Sequence, residues 1–77
     1  MISARQVRAA RALLGWSQQE LADRAVVSLT AVKRLEAGLG DPRVSTVLAV
    51  RRALETAGVE FLAPAGGKGA GVRLANE

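Results

Sequence analysis

The sequence predicts a mainly α domain of four short helices. A short C-terminal β-hairpin, or a strand-exchanged β extension, follows them. Three observations predict this. Helix starts led by serine stand at Ser3, Ser17 and Ser28, each with an apolar or aromatic residue just before it that can fold back on the new helix. Gly15 and Gly38 stand where a left-handed residue closes a helix. Beyond Gly58 the helical spacing of apolar residues gives way to two β-prone runs around a glycine-rich stretch.

The first helix runs from Ile2 to Leu14, with Ser3 and Gln6 as a capping box and Val7, Ala10 and Leu14 on one face. Ser17 and Glu20 form a second box, Leu21, Ala22 and Ala25 an apolar stripe, and Glu20 and Arg24 an outer pair. After the turn at Val26 and Val27, Ser28 caps a third helix with Val32 and Leu35 inward. The fourth helix begins between Pro42 and Thr46, capped by Asp41 or by Ser45. Its apolar contacts are Val44, Val47, Leu48, Ala53 and Leu54, and Arg51 and Glu55 pair outside. Val59 to Leu62 and Val72 to Leu74 are the strands, and the four glycines in the stretch from Ala63 through Gly71 predict a flexible loop. Residues 1–58 thus form the main unit and 59–77 a β-prone extension. An isolated hairpin is marginal in water, so the strands must dock on their own chain or pair with a partner.

Composition narrows the function. Seventy-seven residues form one small domain, which buries only about 60% of its unfolded surface. The chain has no cysteine and no histidine, which removes disulfides, thiolate metal sites and the commonest general base. No apolar run approaches the ~20 residues of a membrane span, and no signal peptide opens the chain. A soluble cytoplasmic protein without a membrane partner is the expectation. The net charge of +4 is uneven: residues 1–54 carry nine basic and four acidic groups, the remainder two and three. A basic front half and a nearly neutral tail point to an anionic partner for the front alone. No metal-ligand spacing appears, and no glycine-rich phosphate loop leads into a helix. Neither an enzyme nor a cofactor is expected.

The most specific stretch is Ser17-Gln18-Gln19-Glu20-Leu21-Ala22, then Val27-Ser28, then Val32-Lys33-Arg34-Leu35-Glu36-Ala37-Gly38. It resembles the Cro and lambda-repressor class of helix-turn-helix proteins, over about residues 3–58. Single-domain members look like repressors or dual regulators from phages and mobile elements. The resemblance implies a DNA-binding domain whose recognition helix, residues 28–36, enters the major groove. On it, Leu29, Thr30, Lys33 and Arg34 match the base-reading face. Physics fits these roles: an arginine can bond a guanine edge through two donors, and Leu29 or the Thr30 methyl can pack on a thymine methyl. Gln18, Ser28, Gly40 and Arg43 match phosphate-contact positions, with Arg5 and Arg8 as weaker candidates. Arg11 and Glu36 match a family ion pair between the first and third helices. At Val26 the chain departs from the usual glycine of the turn.

The resemblance also implies a transcriptional regulator, a repressor or a dual repressor and activator. It would bind double-stranded DNA at a two-fold related operator as a homodimer. Val59, Phe61, Val72 and Leu74 are the expected dimer contact. The alternative is an antitoxin-like module whose glycine-rich tail orders on a protein partner.

Overall fold

The structure, a computed structural model, describes residues 2–76. The order is α1 (Ala4–Leu14), α2 (Gln18–Ala25), α3 (Leu29–Ala37), α4 (Val44–Thr56), β1 (Val59–Leu62) and β2 (Gly71–Leu74). This is the mainly helical domain with a terminal hairpin that the sequence predicts.

Local capping sets the first three helices. Ser3 Oγ accepts the Gln6 backbone N–H at 3.2 Å, and Gln6 Oε1 accepts the Ser3 N–H at 2.9 Å. The helix proper therefore begins at Ala4, while Ile2 lies outside it and packs into the core. Ser17 Oγ accepts from Glu20 N–H and Ser28 Oγ from Ala31 N–H, each at 3.0 Å. Only the serine half of the second capping box forms; the Glu20 carboxylate faces Arg24 instead, at 3.6 Å. Gly15 and Gly38 both close their helices with φ of 69°, a conformation glycine adopts without a Cβ penalty.

The fourth helix corrects two expectations. Its N-cap is Arg43, without a side-chain cap bond, rather than Asp41 or Ser45. Tertiary packing positions this helix: Val47, Val50 and Leu54 are almost fully enclosed, each exposed by 1% or less. At about 100° per residue these three share one face. Val44 and Leu48, expected as core contacts, fall off that face and remain 58% and 50% exposed. Val7, Leu21 and Val32 bring one fully buried side chain each from α1, α2 and α3 to the same core.

The hairpin pairs within one chain. Its strands are antiparallel, with Val59 opposite Leu74, Phe61 opposite Val72 and Leu62 opposite Gly71. Alternation along a strand sends successive side chains to opposite faces. Val59, Phe61, Val72 and Leu74 pack on the helical core, whereas Glu60 and Arg73 pair on the outside at 2.7 Å. The loop is also more regular than its composition predicts. Ala65 and Lys68 exchange two backbone hydrogen bonds, of 3.0 and 2.9 Å, around Gly66 and Gly67. Both glycines have positive φ, 58° and 78°, as a two-residue turn matched to strand twist requires.

Candidate DNA interface

Helix α3 has two distinct faces. Val32, Leu35 and Glu36 are buried. Thr30, Lys33, Arg34 and Ala37 are exposed, and their three- and four-residue spacing puts them on one side of the helix. Thr30, Lys33 and Arg34 therefore occupy the outward positions expected of them. Leu29 differs. It is half-buried and packs against the core, because the first turn of α3 leans on the other helices. Only part of its surface is available to a ligand.

The buried side of α3 is fixed by Glu36, whose carboxylate is 3% exposed. Arg11 Nε donates to Glu36 Oε2 at 2.8 Å, and Arg11 Nη2 to Oε1 at 2.9 Å. Gln18 Nε2 donates to the same Oε1 at 3.1 Å. Three helices thus meet on one carboxylate. The hydrogen bond and nearby charge of Glu36 raise the Arg11 pKa above its already high ordinary value, against the opposing effect of partial burial. Arg11 Nη1 also donates to the Trp16 carbonyl at 3.0 Å, which ties the pair to the α1–α2 junction.

Two sequence expectations acquire a different setting here. The Gln18 side-chain amide is held by Glu36, so the N–H groups left open at this helix start are those of the α2 backbone. Arg8, a weak phosphate candidate, donates through Nη1 to the Glu36 backbone carbonyl. It serves a carbonyl in the last turn of α3, a role that no spacing along the chain signals.

A groove of about 390 Å³ runs beside the outward face of α3. Ser28, Ala31 and Arg34 line one side, and Leu39, Asp41, Pro42, Arg43 and Thr46 the other. The fold thus brings Ser28, Arg34 and Arg43 together, from segments up to fifteen residues apart. Gly40 adjoins them. A Cβ built there would stand 3.7 Å from Arg34 Nη2, an ordinary contact. Its φ of 64° is what asks for glycine. Lys33, Arg34 and Arg43 have no carboxylate partner within ion-pair range among the described residues. Leu39, 62% exposed at the groove, is an apolar element that sequence inspection passes over, since one leucine in a loop carries no periodic signal.

The turn before α3 is left-handed at an unfavourable residue. Val26 has φ 56° and ψ 47° and is 89% exposed. A β-branched residue in this region costs ~1–3 kcal/mol.

The expected dimer residues lie elsewhere. Val59 is 3% exposed and belongs to the chain's own core, and Phe61, Val72 and Leu74 are half-buried against it. The hairpin face assigned to a partner is largely engaged in cis, because docking on α1 and α4 already covers its apolar side.

A serine-capped helix, a turn and a second serine-capped helix, with basic side chains on the outward face of the second, make the supporting and recognition pair of a DNA reader. A profile of the helix-turn-helix family matches residues 7–61. The chain belongs to the Cro and lambda-repressor type of helix-turn-helix proteins. Members of this helix-turn-helix family are DNA-binding transcription regulators. A search of curated proteins returns no match. In this helix-turn-helix domain, no helix among the described residues is long and apolar enough to cross a membrane.

Proposed function

We propose that this chain is a cytoplasmic, sequence-specific transcription regulator that binds a two-fold related operator as a homodimer. The observation that carries the reading is the division of α3. Thr30, Lys33 and Arg34 face outward, while Glu36 on the other side is tied to α1 and α2. A recognition helix needs both features: free groups for base edges and a rigid attachment that sets its angle.

Arg34 is assigned to a guanine edge, Thr30 and the open part of Leu29 to a thymine methyl, and Lys33 to a base or phosphate. Arg43, the Ser28 region and the α2 N-terminus at Gln18 hold the phosphate backbone, where backbone N–H groups and the helix dipole favour an anion. Gly40 lets the loop lie close to the strand. Occupancy is the mechanism. Bound over a promoter, the dimer blocks polymerase; bound just upstream, it recruits it.

Selection from a random duplex library, at about 150 mM salt because affinity falls steeply with ionic strength, tests this reading. The expected product is a two-fold related motif with half-sites ~34 Å apart. Enrichment of nothing above background would reject it.

A further inference from the structure

The largest apolar side chains left uncovered on α4 are Val44 and Leu48, 58% and 50% exposed. Their four-residue spacing puts them on one side of the helix, and Arg51 and Glu55 continue that stripe. Arg51 Nε stands 3.2 Å from Glu55 Oε2. The stripe is apolar toward the N-terminus and ionic toward the C-terminus.

The ends of α4 are also unlike those of its neighbours. Serine side chains cap α1, α2 and α3, whereas Arg43 gives α4 no side-chain cap. The first turn of α4 has no acidic residue and the last turn no basic one. A helix dipole favours the opposite arrangement, anions at the N-terminus and cations at the C-terminus. Arg43 and Glu55 are therefore each at the less favourable end of their own helix.

A second α4 running antiparallel reverses both mismatches. At 1.5 Å rise per residue, Glu55 lies about 10.5 Å beyond Leu48, and Arg43 about 7.5 Å on the other side. In a two-fold pair centred on Leu48, Glu55 of one copy thus comes within about 3 Å, along the axis, of Arg43 in the other. The carboxylate there faces the uncapped N-terminal turn, while the Arg43 side chain itself lines the groove beside α3. Val44 lies against the aliphatic stem of Arg51 or Arg52, which can cover apolar surface while its charge stays in water.

We propose that this face of α4 binds a second copy of the same chain, with Leu48 at the two-fold axis. The stripe is self-complementary, as an isologous contact must be. The competing apolar surface, the inner face of the hairpin, is already docked in cis. This rests on the homodimer reading above and names its contact face; it needs no DNA.

Sedimentation of the full chain over a concentration series, without DNA, tests it. The wild type is expected at the mass of two chains. Leu48→Glu should weaken self-association by ~30-fold or more, as loss of a central contact does, with an unchanged circular dichroism spectrum. Glu55→Arg, which sets a cation against the uncapped N-terminal turn of the other copy, should weaken it too. A dimer that survives Leu48→Glu, or one that Glu55→Arg leaves unchanged, overturns the α4 assignment while leaving the homodimer intact. A wild type that stays monomeric throughout overturns both.

Discussion

Arg11 and Glu36 join α1 to α3 through two parallel hydrogen bonds of 2.8 and 2.9 Å. The carboxylate is 3% exposed, whereas the arginine keeps 24% of its side-chain surface in water. The pair therefore lies between a surface ion pair, worth little, and a buried one, whose rupture is costly. What it fixes is functional: Glu36 is buried in the last turns of α3, while Lys33 and Arg34 stay exposed.

Removing Arg11 strands a buried carboxylate. Arg11→Ala should cost about 3 kcal/mol, the low end of the range for a broken buried pair, and lower Tm by roughly 10–20 °C for a domain this small. Arg5→Ala, at an exposed side chain without an ion-pair partner among the described residues, should leave Tm nearly unchanged. Thermal unfolding of both variants decides this, and equal losses would rule out the structural role. The raised Arg11 pKa puts that stabilisation fully in place below the unfolded value, with loss only as pH rises through the folded one. The difference between wild type and variant should thus be the same at neutral and mildly alkaline pH.

Val26 holds a left-handed conformation without any burial to compensate. Val26→Gly should stabilise the domain by about 1 kcal/mol, the relief of strain being partly offset by the greater chain entropy of glycine when unfolded. Denaturant titration measures it. No gain, or a loss, would mean that the valine contributes more than its backbone costs.

Arg34 and Arg43 should differ in kind. Arg34→Ala is expected to cost ~1–3 kcal/mol on the cognate site and to relax selection at one base position. Arg43→Ala should weaken all sequences about equally and reduce the salt dependence by about one counterion. Binding to specific and random duplexes across a salt series separates them. Equal loss on both duplexes for Arg34→Ala would remove it from base reading.

Gln6 is a clamp between the two ends of the chain. Beyond its cap on Ser3, its Nε2 donates to the Leu62 carbonyl at 3.3 Å and to the Gly71 carbonyl at 3.0 Å. These two residues form the last pair of the strand ladder. Gln6→Leu leaves both carbonyls without that donor and should cost ~1–3 kcal/mol. Hydrogen exchange should show the loss concentrated in β1 and β2. Uniform destabilisation across all helices would contradict the clamp.

Much of the fold was legible because its signals are local. A serine cap acts on an N–H three residues ahead, and a glycine closes the helix it follows. Ser3, Ser17, Ser28, Gly15 and Gly38 therefore placed three helices correctly. The fourth starts within the range the sequence allowed but lacks such a cap, and its cap residue was misassigned for that reason. The outward positions of Thr30, Lys33 and Arg34 followed from helix period together with the resemblance. The half-burial of Leu29 did not, since it depends on how closely α3 leans on its neighbours.

By itself the sequence determined the element order, the helix-turn-helix family, the basic front half and, through the family resemblance, the partnership of Arg11 with Glu36. Tertiary structure alone decided that the strands pair in cis, that Val59 lies in the core, and that Val44 and Leu48 stay outside. It alone gave Gln6 and Arg8 their distant partners, 56 and 65 residues away for Gln6 and 28 for Arg8. The physical reason is range. Caps and turns are set by dihedral angles and hydrogen bonds within a few residues. Which face of a helix is buried, and which distant carbonyl a side chain reaches, depends on how whole elements cross.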